Sequence, residues 1–582
     1  MKKHLFIALA ALGFAACAEK IDNKIPHSGE VEESYIAINL MSADIQTRAA
    51  TDSYGYEIGT DAERAINKAY FFFFDEKGDP FNVTASAPGG EKNHMSLTIS
   101  DATTSGMPNV SDIKNAVLVL NTYKGVYPSK IVAVLNWTPE NKTYTLKNLH
   151  ETLPAVGDDT NGYVMSNSVY MDGADNIVDA VPLTAANIKT TSDDALKTPI
   201  DIYVERTAAK VVLTASQKIQ GTDMIIFDTQ KNSTPIVSTG TSSETKVYVQ
   251  IHGWELYNDY NASSLLKNID TAWKPEDLGL TWNDIPYYRC YWAESQDADP
   301  KDSFSWKYEQ DERNDDLVTY SGYPTSYGFA VAGVDDKYNT RSTYTYCGEN
   351  TNNNNFRTKV ILKGQLMQKK DGAYKPLELA RWYGTEYAGN DALRIAVANS
   401  LKYTLYYKVE EKVDDNTVIK YVSIGKDDIQ CVAGGNIPNV KAYEVIFQLS
   451  TTGKEKTWYQ YSSEHGYVAF GDNGVPNDNA VKANAYLATV EPALLYTEGN
   501  TYYYVDIKHL GATGKTAEYG VVRNHVYQID INSIKGYGSP VYNGFSNIET
   551  PDYPAESEAS YVAARINVLS WKVVKQGVDI VQ

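Results

Sequence analysis

The run Tyr561-Val562-Ala563-Ala564-Arg565-Ile566-Asn567-Val568-Leu569-Ser570-Trp571-Lys572-Val573 decides how the chain is read. Val562, Ala564, Ile566 and Val568 alternate with Tyr561, Ala563, Arg565 and Asn567, the period-2 pattern of a strand with one buried face. The pattern extends through Leu569, Trp571, Val573 and Val574. A turn is expected near Gln576-Gly577, leaving a short apolar run from Val578 to Val581. Chain ends fray unless something ties them down, so this tail needs a docking site. Near the other end, Tyr35-Ile36-Ala37-Ile38-Asn39-Leu40-Met41 repeats the alternation, with Ile36, Ile38 and Leu40 on one face. Arg48 follows after a mostly polar run. Two interchangeable strands, one beside a basic, cleavage-type residue, imply one groove with two possible occupants.

At 582 residues the chain is long enough for two or more domains. It holds 45 tyrosines against 14 phenylalanines, a bias that suits half-buried strands whose rings pack while the hydroxyls stay wet. A net charge of −20 argues against nucleic-acid binding and against attraction to anionic lipid.

Lys2 and Lys3 precede an apolar run, Leu5 to Phe14, too short to span a bilayer, and Ala15-Ala16-Cys17 completes a lipoprotein-type secretory signal. Cleavage there leaves Cys17 as the acylated first residue, so the chain is expected to be membrane-anchored at first. Cys290, Cys347 and Cys431 have the spacing of neither a metal site nor a disulfide framework and are expected as buried thiols.

Residues 18–33 read as a polar tether. Ala65 to Lys68 reads as a short helical entry to the core strand Ala69-Tyr70-Phe71-Phe72-Phe73-Phe74. Val117 to Leu120 and Ile131 to Leu135 are further strands, and Tyr203 to Leu213 is expected to close a first domain. Strands from Lys246, Thr358, Tyr403, Tyr502 and Val526 build a second. Many short strands with turn signals between them indicate sandwiches. Tyr542 to Glu558, polar and holding Pro551 and Pro554, reads as a flexible arm before the tail.

Several stretches together make the chain resemble the fimbrillins of type V pili from the Bacteroidales, in particular the shaft subunits of minor (short) fimbriae of Porphyromonas. They are Gly13-Phe14-Ala15-Ala16-Cys17, the strand followed by Arg48-Ala49, Val204-Glu205-Arg206-Thr207-Ala208-Ala209-Lys210-Val211, Val522-Arg523-Asn524-His525-Val526-Tyr527-Gln528-Ile529-Asp530-Ile531, and Val568-Leu569-Ser570-Trp571-Lys572-Val573. Phe14 stands where leucine is commoner, and residues 258–344 match nothing in the family. The resemblance implies an outer-membrane lipoprotein precursor cut at Arg48-Ala49 by an arginine-specific or trypsin-like protease. Excision removes the plug residues Ile36, Ile38 and Leu40. The donor strand of a neighbouring copy, anchored by Val562, Ala564, Ile566, Val568 and Trp571, then fills the groove, giving a head-to-tail polymer. Anchor and tip subunits are the further partners, and adhesion or biofilm formation is the use. From the residues alone, Arg48 is also an ordinary solvated loop arginine, and the tail is also an ordinary last strand of its own domain.

The expected fold is therefore all-β: two transthyretin-like β-sandwich domains in tandem with a C-terminal donor-strand extension. Its parts are a signal peptide (1–16), a propeptide (17–48), an N-terminal sandwich (49–216), a C-terminal sandwich (217–541) and an arm with donor strands (542–582). Burying four apolar side chains at about 1.5–3 kcal/mol each gives a donor strand roughly 6–12 kcal/mol before ordering costs. No motif for catalysis, cofactor or metal binding is present: the eight histidines form no spaced ligand set, and Asp158-Asp159-Thr160-Asn161-Gly162 lacks the frame of a calcium loop. The rival reading is an outer-membrane surface lipoprotein that binds glycans or host proteins through Trp254, Trp273, Trp282, Trp292, Trp306 and nearby tyrosines.

Overall fold

The computed structural model describes residues 31–42, 59–83, 92–97, 100–101, 112–123, 125–172, 176–215, 225–230, 235–238, 242–257, 260, 262–269, 292–295, 317–318, 330–331, 344–351, 358–414, 416–434, 440, 444–471, 479–509, 518–542, 548–549, 561–563 and 572–581. The described chain is predominantly β-strand.

The core strand Ala69–Phe74 shows how the first sheet is built. Its side chains point to alternate faces, yet every phenylalanine is fully buried. Phe71 and Phe73 join a cluster with Ile36, Ile38, Leu118, Ile131 and Ile202. Phe72 and Phe74 join another with Val132, Val134, Leu265 and Trp292. Burial on both sides is why this run is continuously apolar and not alternating. The strand stops because Asp75 turns its carboxylate onto the backbone N–H groups of Lys77 (2.8 Å) and Asp79 (2.9 Å). Gly78 adopts φ +85° in that turn, where a Cβ would sit 3.1 Å from Leu146.

The nine-stranded first sheet runs in the order His94–Leu97, Ala69–Phe74, Lys130–Leu135, Met165–Asn167, Ile200–Arg206, Val31–Ser42, Asp112–Tyr123 and Ser100–Asp101, with Val181–Pro182 beside Lys130–Leu135. Residues from distant parts of this order share one core, so the sheet curls over itself. The entry helix is Asp61–Arg64, not residues 65–68. Thr60 caps it, accepting from Glu63 N, while the Glu63 carboxylate accepts from Thr60 N at 2.7 Å.

Tyr203 to Leu213 does not close the first domain as a single strand. It divides at Thr207: Ile200–Arg206 stays in the first sheet, and Ala208–Ala215 pairs parallel with His525–Lys535 and antiparallel with Tyr344–Gly348. The crossing between sheets thus falls at Thr207 and not at 216. The run turns continuously apolar after Thr207 because its second half is buried on both faces, Ala209, Val211 and Leu213 in one core and Ala208 and Val212 in another, while Ile202 and Val204 stay in the core of the first sheet.

That second core is a sandwich. Ala208–Ala215 and His525–Lys535 face a sheet containing Val247–Tyr257, Lys359–Lys370 and Asn500–Asp506, with Trp254, Tyr503, Tyr527 and Ile529 between them. A seven-stranded layer follows, including Leu379–Trp382, Glu444–Leu449 and Ala493–Tyr496. Helices Gly389–Ser400 and Asn479–Leu487 contribute Leu393, Val397, Ala483 and Leu487 to its core. This helix-bearing layer goes beyond the two sandwiches expected. A four-stranded sheet, in the order Asn416–Ser423, Tyr406–Val413, Trp458–Ser462 and Gly466–Ala469, extends from it.

Candidate functional site: a strand slot, a tail and a buried junction

The strand Val31–Ser42 lies inside the first sheet. It runs antiparallel to Asp112–Tyr123 over twelve residues, Val31 opposite Tyr123 and Ser42 opposite Asp112. On its other side it runs parallel to Ile200–Arg206, Ile38 beside Ile200 and Ser42 beside Val204. Tyr35 and Lys189 exchange both backbone hydrogen bonds, at 2.7 and 2.9 Å. Ile36 and Ile38 have no exposed surface and pack with Leu118, Leu120, Ile200, Ile202 and Val204. Leu40 falls in register between Lys114 and Ile202. Taking the strand out would open two sheet edges at once above an apolar core.

At the other terminus, Lys572–Val581 runs parallel to His525–Lys535, from Lys572 beside His525 to Val581 beside Lys535. Tyr561–Ala563 pairs antiparallel with it, Val562 opposite Ile580. The expected turn at Gln576-Gly577 is absent. The strand continues through both residues, Gly577 in register with Asp530, and the ladder's one irregularity falls between Ile531 and Ser533, opposite the Val578–Asp579 step. In this chain the tail therefore pairs with its own sheet and the slot holds its own strand. Ala564, Ile566, Val568 and Trp571 lie outside the described residues, as do Cys17, Arg48 and Ala49. The arm expected from Tyr542 begins fastened: the Tyr542 hydroxyl donates to the Cys431 carbonyl at 2.6 Å.

Between the first sheet and the sandwich lies a group of buried charges that sequence spacing does not reveal. Lys210 Nζ stands 2.7 Å from Glu63 Oε1, and the Tyr346 hydroxyl donates to the same oxygen. Arg206 donates from Nε to the Glu63 carbonyl at 2.7 Å and from Nη1 to Asn524 Oδ1 at 3.2 Å. Lys267 reaches Glu205 Oε2 at 3.0 Å. Arg523 grips both Glu349 oxygens, at 3.2 and 3.3 Å, and donates to the Leu265 carbonyl at 3.3 Å. Glu63, Arg206, Lys210, Lys267 and Arg523 are each at most 2% exposed. Burial opposes ionisation of Glu63, but Lys210 and Arg206, with hydrogen bonds from Lys210 and Tyr346, outweigh it and hold the carboxyl below its ordinary range. Burial, followed by the charge of Glu63, pushes the Tyr346 phenol far up, so it stays a proton donor. Two stretches far apart in sequence, 204–211 and 522–531, thereby meet: Asn524 N donates to the Ala208 carbonyl at 2.7 Å. This junction fastens the first sheet to the sandwich through paired buried charges.

Residues 494–577 match a family model described as major fimbrial subunit protein type IV, fimbrillin, C-terminal. Over that segment the chain is similar to the C-terminal part of fimbrillins. The matched segment contains the tail's partner strand His525–Lys535 and the first half of the tail strand. No curated protein matches the chain. Among solved structures, a fimbrilin from Porphyromonas gingivalis is 11% identical, covering 94% of this chain and 97% of that one at a TM-score of 0.30. A fimbrial assembly protein from Parabacteroides distasonis is also 11% identical, covering 73% and 99% at a TM-score of 0.27. Likenesses this loose carry no part of the argument.

Of the five tryptophans of the rival reading, two fall on described residues. Trp254 and Trp292 are buried in core clusters, and Trp273, Trp282 and Trp306 lie outside the described residues. Cys347 and Cys431 are buried thiols, while Cys290 lies outside the described residues. The Asp158 carboxylate accepts from Thr160 N and Asn161 N, both at 2.8 Å, which is turn chemistry.

Proposed function

We propose that the chain is the shaft subunit of a cell-surface fimbrium. It is exported as an outer-membrane lipoprotein acylated at Cys17, and an arginine-specific or trypsin-like protease cuts it between Arg48 and Ala49. The excised strand carries Ile36, Ile38 and Leu40, and the slot it leaves accepts the tail of a neighbouring copy. Anchor and tip subunits would complete the fimbrium, which serves adhesion or biofilm formation.

The observation that carries the reading is the position of Val31–Ser42. A strand at the front of the chain occupies the interior of a sheet, paired on both flanks over a sealed core. Residues 43–58 separate it from the next described residue, so one cut in that stretch would free it from the sheet it completes. A closed monomer, with its slot self-filled and its tail self-paired, suits a precursor that must not assemble before export. After the cut, two open edges and an exposed core drive pairing with an external strand, and a head-to-tail contact of this kind propagates without closing. The tail must leave His525–Lys535 to donate, so exchange trades an edge ladder for a position paired on both sides.

Limited trypsin digestion with N-terminal sequencing and amide hydrogen exchange tests this. The expected result is a new terminus at Ala49, with amides of Asp112–Tyr123 and Ile200–Arg206 losing protection in the dilute cut chain and regaining it on concentration. A cut elsewhere, or protection unchanged once the leader is gone, contradicts the reading.

A further inference from the structure

The four-stranded sheet beyond the helix-bearing layer carries a surface that belongs to neither the slot nor the tail. Opposed residues of an antiparallel ladder share a face, as do alternate residues along each strand. Tyr406 lies opposite Tyr459, Tyr421 opposite Lys408, and Tyr461 opposite Tyr467. Five tyrosines therefore stand on one face: Tyr406, Tyr421, Tyr459, Tyr461 and Tyr467. Their rings brace one another. Tyr421 and Tyr467 stack at 4.0 Å with planes 10° apart, Tyr406 meets Tyr467 edge-on at 5.0 Å, Tyr421 meets Tyr459 at 5.2 Å, and Tyr461 meets Tyr467 at 5.3 Å.

The rings are nonetheless open to solvent. Tyr461 is 59% exposed and Tyr467 36%, and Ile419, on the same face, is 51% exposed. The opposite face seats the sheet only at one end, where Trp458 is fully buried with Tyr407 against it, while Val409, Val418 and Val422 on that face stay exposed. On the tyrosine face Lys408 pairs with Glu410 at 2.6 Å along the same strand, and on the opposite face Lys420 pairs with Glu411 across the hairpin.

From this we propose that the tyrosine face is a binding platform for neutral, uncharged saccharide. Aromatic faces offer flat apolar area to the C–H faces of a sugar ring, while the phenol hydroxyls can donate to or accept from sugar hydroxyls. Rings already held by their neighbours lose little freedom on binding. The charge balance selects the occupant. An acidic ligand would approach a chain of net charge −20, and Lys408, the lysine opposite Tyr421, is already paired with Glu410. A neutral sugar meets no such repulsion. The platform lies in neither the slot nor the tail, so it stands or falls independently of the polymerisation reading.

The test is saturation-transfer NMR and calorimetry on the full chain with maltoheptaose, cellopentaose and mannopentaose as probes, against polysialic acid. The expected result is saturable binding of at least one neutral probe with transfer to its ring protons, no binding of polysialic acid, and about tenfold weaker binding or worse in Tyr461→Ala/Tyr467→Ala. Because both side chains are exposed, that variant should melt within a few degrees of the parent, which separates lost binding from lost folding. Absence of saturable binding to all three neutral probes, or binding that survives the double substitution, overturns the proposal. So does concentration-dependent self-association that the same substitution abolishes, since the face would then be an interface between copies.

Discussion

Ile38→Ala separates a plug from a permanent strand. Ile38 is fully buried among Leu118, Ile200 and Ile202, and removing such a side chain costs about 2–5 kcal/mol, the transfer term plus the cavity it leaves. A domain of about 150–250 residues shifts its melting temperature by roughly 2–4 °C per kcal/mol. A cost of about 3 kcal/mol therefore lowers the melting temperature of the uncut precursor by about 6–12 °C. Ile36→Ala should behave alike, and the two together should depart from additivity, because they share neighbours. If the strand is excised before assembly, the substituted residue is absent from the filament. Filaments grown from cut Ile38→Ala precursor should then resist guanidinium as parent filaments do. Leu118→Ala, in the slot wall, is the control: it should weaken precursor and filament alike. Calorimetry of the precursor and light scattering of filaments during denaturant titration read both quantities. A filament weakened by Ile38→Ala as much as the precursor would show that the strand stays in place, and the plug argument would fail.

Lys210→Met strands the Glu63 carboxylate in the junction, and breaking a buried pair from one side costs about 3–5 kcal/mol; chemical denaturation should show this as a lowered midpoint. Glu63 has a folded pKa below its unfolded value near 4.5, so its contribution is fully present above that value and lost as pH falls through the folded one. Calorimetry between pH 7 and pH 3 should show a smaller acid-induced loss in Glu63→Gln than in the parent, from a lower starting stability; parallel curves would remove Glu63 from the account. Burial pushes the Cys431 thiol up to about 12, and its Sγ lies 3.2 Å from Asn390 Oδ1. Iodoacetamide at pH 8 should leave Cys431 unmodified in the folded chain and label it in guanidinium, as peptide mapping would show.

Much of the fold was legible because short-range patterning carries it. The leader strand around Ile36 and Ile38, the phenylalanine run, and the strands at Ile131, Thr358, Tyr502 and Val526 all match observed strands to within a residue at their ends. Each buries a face that its own periodicity announces. The crossing at Thr207 was not legible, because Val204 and Val211 are equally apolar and the pattern does not say which core receives each. Nor was the path of the tail, where Gly577 reads as a turn residue but sits in register with Asp530 in a continuous ladder. Helices 389–400 and 479–487 bury narrow stripes within a largely β chain and gave only a weak signal. The junction was the least legible part. Glu63 and Lys210 stand 147 residues apart, as do few pairs that sequence spacing can join, and each alone reads as a solvated charge. The tyrosine platform escaped notice for a related reason, since tyrosines from strands at 406, 421, 459 and 467 become one surface only through the ladder.

The central claim is that the slot and the tail are exchangeable between copies. The most direct measurement is negative-stain electron microscopy of trypsin-cut precursor, beside the same precursor ending at Ser560. The account predicts ladders or filaments from the first, monomers from the second, and monomers from both before the cut. Filaments of equal yield without the tail, or a cut full-length chain that stays monomeric at high concentration, would contradict it.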